Sequence, residues 1–356
     1  MRADPADGLL ARWPKAEVHL HLDGSLRPAT ALELGQARGV IERGVTVADL
    51  RSRLVAPMPC RDQAELLRAF DLPLALLQDG EALARVAAEL VEDVAADGTR
   101  YAEVRWAPSL HVRGGLRLPE VIAAVARGTR QGAERVRAAG GDVEVRLIAV
   151  AMRSGPAAAS AAVARAAVAA AGEGVVGFDL AGPEAAYPDV ATHRRAFAIA
   201  RAGGLGITVH SGEWGGPAQV RRALVVRPDR IAHGAPAADD PALMAELRAR
   251  GITLDLCPSS NWQAGLVAHL TDHPLPRLAR AGVAVTLSTD DRTVSDLTLT
   301  REYATALDRL GLSPAELWAI DRHAVEAAFL AHEPGLRDRL RRAFDAFAAT
   351  EPMLAG

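Results

Sequence analysis

Short runs of β-branched and aliphatic residues alternate with longer stretches of helical periodicity along most of the chain. This alternation is typical of strand-helix units repeated around a parallel sheet. We count eight such runs, at approximately residues 16–22, 100–107, 144–152, 175–180, 206–210, 230–233, 251–256 and 282–288. Eight units predict an α/β fold, the (β/α)8 TIM barrel, whose active site forms at the carboxyl ends of the strands. A doubly wound open sheet is the alternative.

The segment between the first two runs is too long for a single crossover. Within it, residues 62–78 place leucines and a phenylalanine at helical spacing, so we predict a helical cap insertion, about residues 40–80, over the barrel mouth. After the eighth run, a helix is expected to begin at Ser313, because Pro314 and Glu316 follow at the first and third positions. Extra C-terminal helices should complete one barrel domain over residues 1–356.

Composition excludes several classes of partner. The formal net charge is only -3, and no basic cluster adjoins an aromatic row, so we expect no nucleic acid. The first fourteen residues lack an apolar core and Arg165 interrupts the alanine-rich stretch 156–172, so we expect neither a signal peptide nor a membrane partner. Cys60 and Cys257 lack Cys-x-x-Cys spacing, which favours a reducing, cytoplasmic location. A homo-oligomer is left open.

The chain has a single lysine, Lys15, just before the first predicted strand. Schiff-base chemistry, a phosphate-binding loop and a carboxylated lysine between two metals would each need a lysine near the site. Any metal site is therefore expected to hold one ion.

The first run carries a His-x-His pair, His19 and His21, followed by Asp23. Alternate residues of a strand face the same way, so both imidazoles point to one side. The pair alone fits either two metal ligands or two hydrogen-bonded core histidines.

Polar residues also follow the other predicted strands, which is where a barrel places its chemistry. They are residues 179–182, 210–213, 233–234, 257–261 and 288–291. Together with His19 and His21 of the first run, His210 and His233 bring the histidines at strand ends to four of the ten in the chain. The remaining six are expected in loops or helices with surface or capping roles: His111, His193, His269, His273, His323 and His332.

The His-x-His pair, His210 and an acid after the eighth strand would give three imidazoles and one carboxylate, a donor set that suits zinc and leaves room for water. Glu213 lies three residues after His210, past a turn glycine, where a general acid could approach the same cavity. His233 could orient or deprotonate the water, or be a buried structural imidazole; we favour the water. Asp290 and Asp291 should point apart, so that one binds metal and the other faces the substrate.

Taken in order, the strand-end motifs resemble the motif set of the adenosine deaminase family of amidohydrolases. The motifs are His19-Leu20-His21-Leu22-Asp23-Gly24-Ser25, Asp179-Leu180-Ala181-Gly182, His210-Ser211-Gly212-Glu213, His233-Gly234, Cys257-Pro258-Ser259-Ser260-Asn261 and Ser288-Thr289-Asp290-Asp291. Each motif is weak alone, but the ordered set spans most of the chain. The resemblance implies an enzyme of purine metabolism, a metal-dependent hydrolase over residues 1–356, that uses one zinc per chain to deaminate a 6-aminopurine nucleoside hydrolytically.

The resemblance also implies roles for individual residues. The zinc ligands would be His19, His21, His210 and Asp290. Glu213 would protonate purine N1, while His233 and Asp290 would orient the hydroxide that adds at C6.

At the substrate, Asp291 would hydrogen-bond N7 and the backbone amide of Gly182 would contact N3. Asp23 would contact a sugar hydroxyl, with His21 also on the substrate side.

Two positions depart from the family's usual pattern: Ser211 stands where alanine is frequent, and Arg292 where proline is frequent. Trp214 and Trp262 add bulk near the same rim. The resemblance favours adenosine and 2'-deoxyadenosine as substrates. Because the departures lie near the sugar end, adenine or a 5'-extended analogue such as aminodeoxyfutalosine are kept as alternatives. A non-catalytic binding relative, and another single-metal amidohydrolase acting on a cyclic amide or ester, are the hypotheses from other classes.

Overall fold

The strands form where the sequence is richest in buried aliphatic residues, and helices separate them. The computed structural model describes residues 5–354. The strands are β1 Lys15–His21, β2 Thr99–Trp106, β3 Glu144–Met152, β4 Val175–Ala181, β5 Gly206–Ile207, β6 His210–Ser211, β7 Arg230–His233, β8 Thr253–Leu256 and β9 Val285–Leu287. The helices are α1 Pro5–Arg12, α2 Pro28–Ala37, α3 Val47–Leu54, α4 Gln63–Leu67, α5 Asp71–Leu76, α6 Gly80–Ala96, α7 Leu118–Ala138, α8 Ala157–Ala169, α9 Arg194–Ala202, α10 Pro217–Ala223, α11 Pro241–Arg250, α12 Pro258–Gln263, α13 Leu275–Arg280, α14 Leu299–Asp308, α15 Pro314–Ala327 and α16 Pro334–Ala348.

All strand pairings are parallel, in the orders β1 to β5 and β6 to β9. Backbone hydrogen bonds connect these two groups of strands at both of their edges. The Thr208 amide, between β5 and β6, donates to the Phe178 carbonyl of β4, so β5 and β6 are two pieces of one predicted strand. On the other side, the Asp290 amide donates to the His19 carbonyl, and the His21 amide to the Asp290 carbonyl. Eight strand positions therefore close into the predicted (β/α)8 barrel, which excludes the open doubly wound sheet.

Residues 40–80, the predicted cap insertion, contain α3, α4 and α5. Their backbone bonds to segments at the carboxyl ends of the strands: the Ala56 amide donates to Val294, and the Cys60 amide to Gln263. The Gln263 side-chain amide donates to the carbonyls of both Ala56 and Val294. These bonds hold the insertion against the rim where the functional side chains lie. None of the helices described combines the length and apolarity that a membrane crossing requires.

The predicted helix start after β9 is confirmed by a reciprocal cap on α15. The Ser313 hydroxyl accepts from the Glu316 amide, and the Glu316 carboxylate accepts from the Ser313 amide. Two otherwise unsatisfied amides at the helix start thereby gain partners.

The interior of the barrel is ionic, while the apolar core lies between strands and helices. Two buried arginines lie inside the barrel and pair with acidic side chains. Arg105 Nη1 lies 3.0 Å from Asp179 Oδ2, and Arg230 Nε lies 3.0 Å from Asp255 Oδ2. Arg230 also contacts Glu103 at 2.5 Å. Buried charges of this kind are tolerated because each has a partner, and the network ends directly beneath the functional site.

Candidate functional site

Four side chains converge at the carboxyl end of the barrel. His19 Nε2 lies 3.0 Å from Asp290 Oδ1, and His21 Nε2 lies 3.3 Å from the same oxygen and 3.2 Å from His210 Nε2. Ligand atoms about 2.05 Å from a tetrahedral ion are separated from one another by about 3.3 Å. The spacing of the three imidazoles and the carboxylate therefore fits a single metal ion at their centre.

The protonation of these groups suits cation binding. Burial lowers the pKa of His19 well below its ordinary value, which leaves a neutral imidazole with free lone pairs. Burial opposes ionisation of Asp290, but the neighbouring His19 outweighs that cost and holds the pKa of Asp290 well below its ordinary value. A carboxylate among neutral imidazoles is a metal-binding donor set.

For two of the candidate metal ligands, a second side chain fixes the orientation. Asp179 Oδ2 lies 2.9 Å from His210 Nδ1, and this contact turns His210 Nε2 toward the site. The Ser260 hydroxyl donates to Asp290 Oδ2 at 2.6 Å, which leaves Oδ1 facing His19 and His21. Partners of this kind orient metal ligands and fix histidine tautomers.

The backbone also fixes the direction of two site residues. His233 has φ 68° and Asp290 has φ 67°, both in the left-handed region that residues other than glycine seldom occupy. Such a conformation costs about 1–3 kcal/mol and persists where its surroundings enforce it. The strain places both side chains in the barrel mouth.

Glu213 is a buried acid beside the four converging side chains. Burial, with the charges of Asp290 and Glu184, raises its pKa well above the ordinary value, which favours its protonated form. The Glu184 carboxylate accepts from three consecutive amides, those of Gly212 at 2.7 Å, Glu213 at 3.0 Å and Trp214 at 2.9 Å. Glu184 therefore holds the turn that carries Glu213.

His233 lies beside the four converging side chains. Its Nε2 is 3.9 Å from Glu213 Oε2 and from Asp290 Oδ2. One donor atom each of His19, His210, His233 and Asp290 fall within 4.8 Å of one another. That set contains His233 and not His21, although His21 Nε2 lies only 3.3 Å from Asp290 Oδ1, the oxygen that faces His19. The site therefore offers four imidazoles around one carboxylate, and the choice of His21 over His233 as the third ligand comes from the resemblance.

Two more acids are buried close to these side chains. Asp23 Oδ1 and Asp291 Oδ1 are buried without a hydrogen-bond partner among the described residues. Burial, together with the charges of Asp290, Asp23 and Glu213, raises the pKa of Asp291 well above its ordinary value. Gly24 packs so tightly against Asp291 that a Cβ would lie 1.6 Å from Oδ1. Unpaired buried oxygens of this kind are positioned to bind a polar ligand.

Gly182 follows β4 with φ 109°, a conformation that favours glycine. A Cβ there would lie 2.9 Å from the Met152 side chain. The backbone after β4 thus favours glycine at this position, while the amide contact to the purine that the resemblance implies stays a prediction.

The residues that depart from the family pattern have structural partners. Arg292 Nη1 bonds to Asp97 at 3.1 Å. Trp214 packs against a small cluster that includes Ala56 and Cys60 of the insertion. Trp262 is half-buried on α12.

Three of the six histidines expected at the surface or in caps are buried instead, which corrects that prediction. They are His111, His193 and His273. The loops that follow the strands fold back over the barrel rather than into solvent, and so enclose them. His269 and His332 are exposed and His323 is partly exposed.

The sequence motifs do not include Glu184, and the sequence predicts only a surface or capping role for His273. Asp179, Ser260 and Asn261 belong to the motifs, but the sequence assigns them no function. A signal existed for Glu184, an acid two residues after a strand-end glycine. His273 offered none, because nothing in its spacing from α12 indicates a contact.

The whole chain can be compared with known proteins. A family model described as adenosine deaminase matches residues 14–343. The adenosine deaminase of Enterococcus faecalis is 37% identical over 317 residues, covering 89% of this chain and 92% of that protein. The adenosine deaminase of Mycolicibacterium gilvum is 38% identical over 334 residues, covering 90% and 91%.

Solved structures agree on the fold. The N6-methyl-AMP deaminase from Arabidopsis thaliana superposes with a TM-score of 0.83 at 29% identity, covering 96% of this chain and 98% of that one. An amidohydrolase from Burkholderia ambifaria with bound zinc superposes with a TM-score of 0.84 at 25% identity, covering 100% and 97%. With a matching family model over nearly its whole length and relatives above 30% identity, the chain belongs to the adenosine deaminase family of hydrolytic deaminases.

Proposed function

We propose that the chain converts adenosine and 2'-deoxyadenosine, with water, to inosine and 2'-deoxyinosine plus ammonia. The carrying observation is a buried acid, Glu213, with a raised pKa, beside a cluster of three imidazoles and a carboxylate. The names of the curated relatives support the substrate. The helical insertion, residues 40–80, which is hydrogen-bonded to the rim of the barrel, would act as a cap over the same site.

We propose that His19, His21, His210 and Asp290 hold one Zn²⁺. The ligand spacing of 3.0–3.3 Å and the zinc bound by the Burkholderia relative support this assignment. Zinc would supply a nucleophile at neutral pH, since it lowers the pKa of a bound water to about 7.

The chain's own groups would divide the remaining chemistry. Glu213, whose raised pKa favours the protonated form, would donate its proton to purine N1, which drains electron density from C6 and makes it an electrophile. Asp291, whose pKa is also raised, would in its protonated form donate a hydrogen bond to N7. The Gly182 amide would meet N3. The oxygen of water would add at C6, one of its protons would return to Glu213 and the other would go to the amino group, so that the C6–N bond breaks and ammonia leaves.

The sugar end would be bound by Asp23, whose buried Oδ1 is free to accept from a hydroxyl. His233 and the turn held by Glu184 would complete the wall around the reacting carbon. The free, buried state of Cys60 and Cys257 supports a reducing compartment such as the cytoplasm.

A cavity of about 590 Å³ lies beside Glu213, and Trp214, Arg61 and Arg277 are among the residues that line it. None of the four proposed zinc ligands lines it, so it lies outside the reacting centre. Both arginines are exposed and paired, with Glu65 and Asp239 respectively at 2.7 Å. Exposed pairs of this kind contribute little, so the support for a nucleoside comes from the names of the curated relatives. Adenine and 5'-extended analogues remain the alternatives that the same chemistry could serve.

The test is ammonia release from adenosine, 2'-deoxyadenosine, adenine, AMP, N6-methyl-AMP and aminodeoxyfutalosine, measured in parallel on protein whose zinc content is known. We expect about one zinc per chain and the highest kcat/KM on the two nucleosides. A preference for a phosphorylated substrate would contradict the proposed nucleoside substrate, and no deamination of any substrate would contradict the function.

Glu213→Gln tests the proton donor. The amide keeps the shape but has no acidic proton, so we expect full zinc content and a loss of turnover of about 10²–10⁴-fold. Glu173→Gln, on an exposed turn, is the matched control and should behave as wild type. Near-normal turnover in Glu213→Gln would contradict the assigned role.

A further inference from the structure

The side chain of His233 presents one nitrogen to the site and the other to the protein interior. Nε2 lies 3.9 Å from Glu213 Oε2 and from Asp290 Oδ2. Nδ1 lies 3.1 Å from the side-chain nitrogen of Asn261. A neutral imidazole carries its proton on one nitrogen only, so the position of that proton decides whether His233 donates or accepts inside the site.

The proton can be located by starting from a backbone amide, which can only donate. The Leu275 amide, at the start of α13, donates to His273 Nδ1 at 3.2 Å. His273 is fully enclosed, and burial lowers its pKa to about 3, so the ring is neutral. Because Nδ1 accepts, the single proton of His273 is on Nε2.

The proton on His273 then orients the next side chain. His273 Nε2 lies 3.1 Å from Asn261 Oδ1, so the imidazole N–H donates to the amide oxygen. This contact sets which end of the Asn261 amide is oxygen and which is nitrogen. The amide nitrogen therefore faces His233 Nδ1 and donates to it.

An imidazole nitrogen that accepts from an amide carries no proton. His233 is therefore neutral, and its proton lies on Nε2. The Asp290 carboxylate, which lies 3.9 Å from Nε2, favours a proton at that position. His233, Asn261 and His273 are all buried, so water does not compete for these bonds.

We infer that Asn261 and His273 are positioning residues that fix His233 as the Nε2–H tautomer, so that His233 donates a hydrogen bond to the attacking oxygen and does not take its proton. The inference rests on the proposed function, and it decides between the two roles that the sequence left open for this histidine. The side-chain hydrogen bonds of Asn261 run to His233 and His273, and those of His273 to Asn261 and the Leu275 amide, so both residues act through His233.

The first test is spectroscopic and does not depend on turnover. Zinc-loaded protein labelled with ¹⁵N-histidine is examined by long-range ¹H–¹⁵N NMR, and the His233 signals are assigned with His233→Gln. We expect the pattern of a neutral ring protonated at Nε2. A ring protonated at Nδ1, or at both nitrogens, overturns the inference, even if the enzyme deaminates adenosine. The spectrum is equally informative if every purine fails as substrate.

Asn261→Asp is the sharpest variant, since it is nearly isosteric but replaces the amide donor with a second acceptor. Nδ1 of His233 should then be protonated, and the NMR pattern should change accordingly. We expect kcat to fall about 10²-fold, with KM for adenosine within a few-fold of wild type and full zinc content, because one preorganised donor is lost. An unchanged NMR pattern and kcat would overturn the inference.

His273 offers an independent pair of variants should Asn261→Asp fail to fold. Glutamine retains an N–H that can reach Asn261 Oδ1, whereas leucine of similar size has none. We expect His273→Gln to keep the Nε2–H pattern and kcat within a few-fold of wild type, and His273→Leu to lose both while retaining zinc. Equal behaviour of the two variants would overturn the inference, since packing alone would not distinguish them by hydrogen bonding.

Discussion

The turn that carries the proton donor depends on one carboxylate outside the reacting centre. Glu184 is buried and accepts from the amides of Gly212, Glu213 and Trp214. We predict that Glu184→Gln impairs catalysis while leaving the metal site occupied. The variant preserves shape and volume but replaces one acceptor oxygen with an N–H₂ group, which must face at least one amide donor.

The size of the effect follows from the hydrogen bonds. A bond to a charged acceptor contributes about 1.5–3 kcal/mol, and a buried donor without a partner costs about 1–3 kcal/mol. Losing one of the three bonds should lower the free energy of unfolding by about 2 kcal/mol. A shift of about 1 Å in Glu213 should lower kcat/KM by about 10²-fold, which corresponds to about 2.7 kcal/mol in the barrier.

The assay compares Glu184→Gln with wild type and with Glu173→Gln, which makes the same change on an exposed turn. Zinc content, urea unfolding and ammonia release from adenosine are measured on the same preparations. We expect full zinc content and the losses above in the Glu184 variant, with no change in the control. A Glu184→Gln protein that is destabilised but turns over normally would show that the three bonds stabilise the fold without positioning Glu213.

Three further predictions concern the ligands, the substrate end and the pH dependence of stability. His21→Ala should lose zinc and activity together, since it removes one of four ligands; full zinc occupancy would disprove the ligand set. Gly24→Ala should raise KM for adenosine more than tenfold at unchanged zinc content, because its Cβ would lie 1.6 Å from Asp291 Oδ1, and an unchanged KM would argue against a substrate role for Asp291. Burial raises the pKa of Asp321 from an ordinary 3.8 to about 7, so between these pH values the folded protein holds a proton that the unfolded chain releases. The free energy of unfolding should fall as pH rises across that window, by up to about 1.4 kcal/mol per unit, and urea titrations of Asp321→Asn should show a smaller slope than wild type.

Features that depend on local periodicity were predictable from the sequence. Alternating aliphatic runs and helical stretches located the strands, and the order of strands in a barrel follows from parallel crossovers. The start of α15 followed from Ser313 and Glu316, whose contacts are three residues apart. The gathering of His19, His210 and Asp290 at one rim followed from the barrel itself, since strand ends meet there whatever their separation in sequence.

Features that depend on long-range contacts were not predictable. The bond between His273 and Asn261 joins α12 to the segment before α13, and its direction is set by the Leu275 amide, which has no sequence signature. The ionic interior also escaped prediction, because Arg105 lies on an amphipathic strand where a charged residue normally faces solvent. Sequence periodicity assigns a residue to one face of a helix or strand, but it does not identify the residue of another element that it contacts.

Asp290 reaches its position through a geometry that strand alternation does not predict. Alternation predicts that Asp290 and Asp291 point apart as neighbours in a strand, yet Asp290 has φ 67° and lies outside β9. A left-handed residue, tied to β1 through the His19 carbonyl and the His21 amide, turns its carboxylate toward the imidazoles. The same two bonds close the barrel, so the closure of the fold and the placement of the proposed fourth zinc ligand depend on one structural feature. A substitution that relaxed this backbone should therefore loosen the barrel and weaken zinc binding together.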